Sequence, residues 1–185
     1  MDWAKKLKKI LRNQKKLTIN VTGKSWGLAS NCIHYFDLVS WWTNENLKKI
    51  NTRDLNRFWF ESKRKGFYDI NGKIQTEFTN GTILNLDSNI HGNDVVMEIV
   101  NKDGLIWEVN QILKLIKYPD KSILDIDMPF QSMLTPNIVD NIINYGKCEL
   151  PTLDENFLSN KILLKSFLSH WNQNKIKKTT ILPIT

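Results

Sequence analysis

The sequence predicts an α+β fold in which a run of antiparallel strands, from about residue 46 to residue 126, lies between helical segments. Two turn signals carry this prediction. Asn80–Gly81 stands between two strand-like runs and favours a two-residue type I′ turn, and the loop 101–104 (NKDG) joins VVMEIV to LIWEV in a second hairpin. Helical patterns occupy both ends of the chain. Successive antiparallel strands form a sheet that leaves one face available for helices.

The length and composition are those of a globular protein with a single domain, residues 1–185. The chain has 41% hydrophobic residues and seven tryptophans, enough to bury a sizeable core. Its formal charge of +7 is local, because residues 1–16 carry a net +6 and leave only +1 for the rest. A nearly neutral body argues against a broad phosphate-binding surface, so nucleic acid is not an expected partner.

The N-terminal segment, residues 3–14, has the spacing of an amphipathic helix whose lysines cover the polar side. We expect it to pack by its apolar edge, although such basic helices can also bind anionic membranes. The sequence has no run of about 18 apolar residues and no secretory signal core. The expected location is therefore cytoplasmic, without a membrane partner. Cys32 and Cys148 form no metal-ligand pattern, so no metal site is expected.

The stretch from residue 17 to residue 42 is the most informative part of the chain. Apolar and polar residues alternate over 17–22, which predicts a half-buried strand, and Gly23–Lys24–Ser25 leads from it into a helix that starts at Trp26. Apolar residues go nearly all the way round this helix, which predicts burial on most sides. Four polar residues nonetheless share one arc of roughly 120°. They are Ser30, Asn31, His34 and Asp37.

This polar arc has two interpretations, because a polar stripe on a buried helix must be hydrogen-bonded internally or face a cleft. In the first, His34 is a core histidine whose ring is oriented by Asp37. In the second, His34 donates or accepts a proton at a functional site, which imidazole can do near neutral pH. The spacing permits such a site but does not name the reaction.

Two helices are predicted towards the C-terminus. The first begins at Thr135–Pro136, with a threonine cap and proline in the first turn, and ends at Gly146. Its predicted buried edge is Ile138, Val139, Ile142 and Ile143. The second begins at a capping box, Thr152–Glu155, and runs to about residue 171. Its predicted inward residues are Phe157, Leu158, Ile162, Leu164, Phe167, Leu168 and Trp171.

Motifs with a known chemistry are absent from the sequence. It holds no G-x-G-x-x-G, P-loop, H-E-x-x-H, C-x-x-C or G-x-S-x-G pattern. Without a glycine-rich strand-to-helix turn it has no place for a pyrophosphate, so no cofactor is expected for this chain alone. His91 and His170 stand alone, and we expect both to be structural or solvent-exposed.

Four short motifs resemble one protein family in their order along the chain. The segment VTGKSWGLASNCIHYFDL is similar to the start of the C-terminal domain of glucose–fructose oxidoreductase/inositol dehydrogenase (Gfo/Idh/MocA) proteins, where a strand leads into a helix with a His and, three residues later, an Asp. His34 and Asp37 match that pair. The later matches are Gln131–Ser132 with Thr135, GKCELPT at 146–152, and the closing Leu182–Pro183–Ile184–Thr185.

The resemblance implies an open, mostly antiparallel sheet with helices on one face and a second subunit on the other. It implies NAD(P)-dependent hydride transfer to or from a sugar carbon, with His34 as acid or base on the reacting hydroxyl. The family often has an Asp four residues before this His, where the present chain has Ser30. Serine cannot supply a carboxylate, which leaves two alternatives. Either Ser30 and Asn31 only bind hydroxyls, or the set of catalytic residues differs from that of the family.

Together these observations predict the stand-alone substrate-binding half of a sugar or nucleotide-sugar oxidoreductase. His34 is the candidate catalytic residue and Asp37 supports it. The candidate substrate-binding residues are Lys24, Trp26, Ser30, Asn31 and Gln131. NAD or NADP would bind only to a separate dinucleotide-binding (Rossmann) subunit, so the chain alone should be inactive. A homo-oligomer through the sheet face is expected. The alternative is a non-enzymatic interaction module, or the remnant of a truncated gene.

Overall fold

The computed structural model of the protein describes residues 1–14, 16–173 and 175–184. Its helices are α1 (Asp2–Leu11), α2 (Leu28–Thr43), α3 (Gln131–Tyr145) and α4 (Leu153–Gln173). Its strands are β1 (Thr18–Lys24), β2 (Leu47–Asn51), β3 (Phe60–Glu61), β4 (Tyr68–Asp69), β5 (Gly72–Phe78), β6 (Ile83–Asn89), β7 (Val96–Val100), β8 (Ile106–Asn110), β9 (Leu115–Lys117) and β10 (Ile123–Asp125). Lys15 of the basic segment and Thr185 of the closing motif lie outside the described residues.

Eight strands form one open sheet in the order β10-β9-β8-β7-β1-β6-β5-β2. Strand β1 lies inside the sheet, parallel to β6 and antiparallel to β7, and all the other neighbours in this order are antiparallel. Strands β3 and β4 form a separate pair. For the part of the chain that the structure describes, the predicted α+β class with a mostly antiparallel, open sheet is confirmed.

The core lies between the sheet and helix α2. In β1, Ile19 and Val21 are fully buried whereas Lys24 is exposed, because alternate side chains of a strand point to opposite faces. Helix α2 contributes the opposing layer, including the fully buried Phe36 and Trp42. Burial of each such side chain stabilises the fold by roughly 1.5–3 kcal/mol. The predicted burial of this helix is confirmed at Leu28, Ala29, Cys32, Phe36, Val39 and Trp42.

The opposite face of the sheet carries a row of polar side chains that bind one another from strand to strand. The amide of Gln75 donates to Asn85 (3.1 Å), Asn85 donates to Asn20 (2.8 Å), and Asn20 donates to Glu98 (3.2 Å). These four residues lie in register on β5, β6, β1 and β7. Cross-strand pairs of this kind satisfy polar groups on a face that meets water. That a second copy of the chain packs on this face stays a prediction.

Both predicted hairpins form, but the predicted type I′ turn is wrong. In the β5–β6 hairpin the N–H of Gly81 donates to the carbonyl of Phe78 (2.9 Å), and Gly81 has φ +82° whereas Asn80 has no positive φ. A type I′ turn needs positive φ at two residues, so this is instead a three-residue loop that ends in a left-handed glycine. The β7–β8 loop repeats the arrangement, with Gly104 at φ +77°.

Helix α3 differs from its prediction in both start and burial. It begins at Gln131, and the hydroxyl of Thr135 donates to the carbonyl of Gln131 (3.0 Å) instead of capping the helix. Pro136 lies inside the helix, where it removes one backbone hydrogen bond. No described residue of α3 is buried. The predicted buried edge is therefore wrong for Ile138, Val139, Ile142 and Ile143, because periodicity reveals an apolar face but not what covers it.

Helix α4 begins as predicted and packs along only part of the predicted face. The N–H of Thr152 donates to the Glu155 carboxylate (2.6 Å), and the N–H of Glu155 donates to the Thr152 hydroxyl (3.3 Å), which confirms the capping box. The buried residues are Ser159, Leu163, Phe167, His170 and Trp171. Burial was wrongly predicted for Phe157, Leu158 and Leu164, which are exposed.

An aromatic cluster surrounds His170 where α4 meets the loop before β3. The indole N–H of Trp59 donates to Nδ1 of His170 (3.3 Å), and the ring of Trp59 contacts Trp171 edge-on at 5.2 Å between centroids. The imidazole is 5% exposed, and its burial lowers the pKa of His170 below its ordinary value of 6.5. The ring therefore accepts a hydrogen bond as the neutral form, and its structural role agrees with the prediction.

The free energy of unfolding is expected to fall as the pH falls below 6.5, because the unfolded chain then binds a proton at His170 that the folded chain resists. The contribution is complete above pH 6.5 and is lost progressively as the pH falls towards the lower pKa of the folded state. Urea unfolding from pH 7.5 to pH 5 measures it. The His170→Asn variant keeps an acceptor for Trp59 but does not titrate, so its free energy of unfolding should fall less than that of wild type between pH 7.5 and pH 5. An equal fall in both proteins would contradict the prediction.

Candidate functional site

The N-terminus of helix α2 is built around a buried carboxylate from strand β4. Asp69 is 4% exposed and accepts hydrogen bonds from the N–H of Ala29 (2.8 Å), the hydroxyl of Ser30 (2.6 Å) and the N–H of Ile70 (2.8 Å). The N–H groups of a first helical turn have no partner within the helix and attract negative charge. Asp69 therefore fixes the position from which α2 starts.

The turn before α2 is held by Trp26 and Asn31. The amide of Asn31 donates to the carbonyls of Trp26 (2.9 Å) and Gly27 (3.0 Å), and the indole N–H of Trp26 donates to the carbonyl of Asp87 on β6 (3.0 Å). The indole also contacts the ring of Tyr35 edge-on at 5.4 Å. These contacts join the strand-to-helix turn to the sheet, so Trp26 and Asn31 have structural roles whatever else they bind.

His34 and Asp37 lie one turn apart on the outer side of α2. His34 is exposed and Asp37 is partly buried. Burial raises the pKa of the Asp37 carboxyl above its usual range, and the neighbouring His34 opposes that shift. An exposed imidazole beside a partly desolvated carboxylate has the composition of an acid–base pair. Further along the same side, the ammonium of Lys8 lies 4.0 Å from the centre of the Trp41 ring.

The structure thus divides the predicted polar arc into two parts. Ser30 and Asn31, in the first turn, form hydrogen bonds within the protein, whereas His34 faces solvent. The first interpretation is therefore wrong for His34, which is not a core histidine, whereas the internal hydrogen bonds expected of a buried polar stripe are found at Ser30 and Asn31. The assignment of substrate contacts to Ser30 and Asn31 stays a prediction.

The other predicted substrate-binding residues lie on different elements. Lys24 lines a cavity of about 550 Å³ with Asn93, Asp94, Asn110 and residues of the loop after β8. Gln131 is exposed at the first position of α3. Across residues 1–14, 16–173 and 175–184, no hydrogen bond joins Lys24 or Gln131 to His34. Their roles in substrate binding stay predictions.

Two residues of this region, Asp69 beside α2 and Tyr35 on it, were not identified from the sequence. Asp69 is forty positions from the N–H that it accepts from, and no local pattern indicates that pairing. Tyr35 adjoins His34, and burial raises the pKa of its hydroxyl to about 12, with a hydrogen bond to Gln111 acting in the opposite direction. The sequence places Tyr35 next to His34, but the contact between Tyr35 and Gln111 forms only in the folded chain.

In the described part of the chain, no three His, Cys, Asp or Glu side chains are grouped so that they could hold a metal ion. Cys32 is a free, fully buried thiol, and Cys148 is free and partly exposed. Among those same residues, no helix combines the length and apolar character needed to cross a membrane.

The first turn of α2 does not fit a dinucleotide pyrophosphate. That turn follows β1, which is the strand-to-helix arrangement that such cofactors use. Its N–H group at Ala29 is already taken by the Asp69 carboxylate at 2.8 Å, and a negative charge there repels phosphate. The side chains present at this turn therefore give no reason to place NAD or NADP on it.

Solved structures with a similar fold are oxidoreductases and dehydrogenases. No family model matches the sequence, and no curated protein matches it. The chain is similar to GenD2 from gentamicin A biosynthesis, solved in complex with NAD, with 14% identity and a TM-score of 0.61 over 96% of this chain and 60% of that one. An oxidoreductase from Thermotoga maritima has 12% identity and a TM-score of 0.60, over 89% and 54% of the two chains.

A third similar structure is the WlbA dehydrogenase from Bordetella pertussis, in complex with NADH and UDP-GlcNAcA. It shares 12% identity with this chain and has a TM-score of 0.54, over 91% of this chain and 57% of that one. The chain therefore spans little more than half the length of the structures that it resembles. At these identities the likeness establishes the fold alone.

Proposed function

We propose that the chain is the substrate-binding part of an NAD(P)-dependent sugar or nucleotide-sugar oxidoreductase of the Gfo/Idh/MocA type. The observation that carries the proposal is the pair of an exposed His34 and a partly buried Asp37 on α2. The fold that presents this pair is, over about nine-tenths of the chain, similar to GenD2 solved with NAD and to the WlbA dehydrogenase solved with NADH and UDP-GlcNAcA. NAD or NADP would bind to a separate dinucleotide-binding part, in agreement with the occupied N-terminus of α2.

In this proposal His34 exchanges a proton with the hydroxyl or carbonyl oxygen of a bound sugar. Its side chain is exposed and open to a ligand, and Asp37 lies one turn away on the same side of α2. Tyr35, the next residue along α2, contacts the ring of Trp26 edge-on at 5.4 Å and so joins the helix to the turn before it. The chain's own residues therefore supply orientation and proton transfer.

The His34→Ala variant is expected to leave the free energy of unfolding within about 0.5 kcal/mol of wild type, because the side chain is exposed. Its affinity for the nucleotide sugar is expected to fall roughly tenfold through the loss of one hydrogen bond. Titration calorimetry with UDP-GlcNAcA and UDP-N-acetylglucosamine, with UDP alone as the reference, measures this. Thr43→Ala, at the far end of the same helix, is the matched control.

Titration with NADH and NADPH completes the test. We expect nucleotide-sugar binding without tight dinucleotide binding by this chain alone. Micromolar affinity for NADH would contradict the proposal, since it would require a cofactor site that the α2 turn does not offer. Nucleotide-sugar affinity that is equal in wild type and His34→Ala would remove His34 from the site.

A non-enzymatic interaction module is the second candidate function. The observation that favours it is helix α3, which has no buried residue. In that case neither dinucleotides nor nucleotide sugars bind, and His34→Ala leaves the behaviour of the protein unchanged.

A further inference from the structure

Two exposed aromatic side chains stand where the chain enters the β3–β4 hairpin. Phe58 is 75% exposed and Phe60 is 41% exposed, and we call this pair the aromatic edge. Trp59, between them, packs edge-on against Phe167 (5.9 Å) and Trp171 (5.2 Å) of α4. The packed indole therefore fixes this segment to α4, while the two phenylalanine rings offer flat apolar surface to a ligand.

The aromatic edge lies beside the first turn of α2. Phe60 is directly opposite Asp69 in the β3–β4 register, and opposite residues of an antiparallel pair share a face. Asp69 accepts a hydrogen bond from the hydroxyl of Ser30 (2.6 Å), and Ser30 precedes His34 by one helical turn. The ring of Phe60 thus lies on the side of the hairpin that faces the start of α2 and the candidate site.

Cations flank the aromatic edge along the chain in both directions. The guanidinium of Arg57 lies 5.4 Å from the centre of the Phe58 ring. The turn of the hairpin carries three more cations, which we call the basic turn: Lys63, Arg64 and Lys65. Residues 57–67 contain these four cations and one carboxylate, a net charge of +3. The surroundings of the aromatic edge therefore favour an anionic ligand.

Neighbouring carboxylates do not neutralise the basic turn. The carboxylate of Glu61 accepts a hydrogen bond from the N–H of Gly66 (2.9 Å), and that of Asp69 holds the start of α2. Across residues 1–14, 16–173 and 175–184, no salt bridge involves a residue of the basic turn. Three neighbouring cations repel one another, and a phosphate that binds between them relieves that repulsion.

We propose that the aromatic edge and the basic turn form a subsite for a nucleoside diphosphate. The base stacks on a phenylalanine ring, and the cations bind the diphosphate. Aromatic rings stack on nucleobases of any sequence, and Lys and Arg bind phosphate oxygens through charge-assisted hydrogen bonds. The inference rests on the proposed function, because it places the nucleotide of a nucleotide sugar beside the sugar that His34 meets. A free sugar has no charge for the basic turn, so the subsite selects nucleotide sugars.

Titration calorimetry of the full chain with UDP and with uridine tests the inference. UDP is expected to bind at least about tenfold more tightly than uridine, because only UDP meets the basic turn. The double variant Phe58→Ala/Phe60→Ala should weaken both ligands roughly tenfold, since both lose the stacking surface. Lys63→Ala/Lys65→Ala should weaken UDP roughly tenfold and leave the affinity for uridine unchanged.

Matched control variants come from elsewhere in the chain. Phe157 on α4 is 60% exposed and, like Phe58, has a cation near its ring, with the Lys161 ammonium 5.7 Å from the centre. Phe157→Ala should change neither affinity. Lys102→Ala, at an exposed lysine in the turn between β7 and β8, is the control for the basic turn. The substituted side chains are exposed, so the variants keep their fold, which circular dichroism verifies.

The outcomes separate this inference from the proposed function. Equal affinities for UDP and uridine would overturn the subsite, as would variants of the aromatic edge and basic turn that bind like wild type. A single-stranded oligouridylate that binds more tightly than UDP would overturn it in favour of nucleic acid. His34→Ala should weaken UDP-N-acetylglucosamine but not UDP. If His34→Ala weakens neither while the aromatic edge still binds UDP, the role of His34 fails and the subsite stands.

Discussion

Asp69→Ala is expected to lower the free energy of unfolding by about 4 kcal/mol, which is a large part of the stability of an ordinary domain. The carboxylate is 4% exposed and accepts three hydrogen bonds, two of them from the first turn of α2. Removing it leaves the buried N–H of Ala29 without its acceptor and takes away the carboxylate to which the Ser30 hydroxyl donates. It also removes a negative charge from the positive end of a 16-residue helix.

Urea unfolding of a short series separates the contributions of Asp69. Asp69→Asn keeps an amide oxygen for the two N–H groups and should cost roughly half as much as alanine. Ser30→Ala removes one donor and should cost about 1 kcal/mol. Asp127→Ala, at an exposed aspartate, is the control and should change the free energy by less than about 0.5 kcal/mol. A cost below about 1 kcal/mol for Asp69→Ala would show that this cap contributes little.

Gly72→Ala is expected to destabilise the fold by about 3 kcal/mol or more, through strain and a steric clash together. Gly72 begins β5 at φ +119°, a conformation that other residues rarely adopt. A Cβ there would lie 2.6 Å from the backbone nitrogen of Asn56 and 2.7 Å from the carbonyl oxygen of Asp54. Both atoms belong to the backbone, and the N–H of Lys73 donates to that same Asp54 carbonyl, so neither can move without breaking local pairing.

Gly66→Ala is the matched control for that experiment. Gly66 has φ +81°, but a Cβ at this position would meet no atom within 4 Å. Its replacement should therefore cost only the conformational strain, about 1 kcal/mol. The difference between the two variants in urea unfolding measures the clash at Gly72. Equal costs would contradict the close approach of the segment 54–56 to β5.

The strand-rich middle of the chain and helix α2 were predictable because their signals are local. Alternation over 17–22, the glycine turns and the capping box at Thr152–Glu155 each depend on residues a few positions apart. The apolar character of α2 also predicted burial, correctly for six of its residues and wrongly for Trp41, which is exposed. The N-terminus of α2 was not predictable in the same way, since Asp69 joins it from a strand forty residues away. A polar arc on a buried helix indicates that partners exist but not where they come from.

Helix α3 shows that a local signal can predict an element correctly and its burial wrongly. Its apolar periodicity predicted a helix correctly and a buried edge wrongly, since the same pattern serves a core face and an exposed interaction face. Its start was misplaced because Thr135–Pro136 has the composition of a cap, while the helix extends one turn further towards Gln131. For the candidate site, the sequence identified the exposed His34 and its neighbour Asp37. It did not separate them from Ser30, whose hydroxyl is bound by Asp69.

The position of β1 inside the sheet has a consequence for synthesis on the ribosome. Asn20 pairs with Asn85 on one side and with Glu98 on the other, at separations of 65 and 78 residues. A nascent strand β1 therefore lacks its first neighbour until the chain has grown to Asn89 and its second until it has grown to Val100. Pairings this distant are slow to form, because a long loop must close before any contact stabilises it. The apolar residues of β1 and α2 thus stay uncovered while the sheet is translated, an interval in which a molecular chaperone can act.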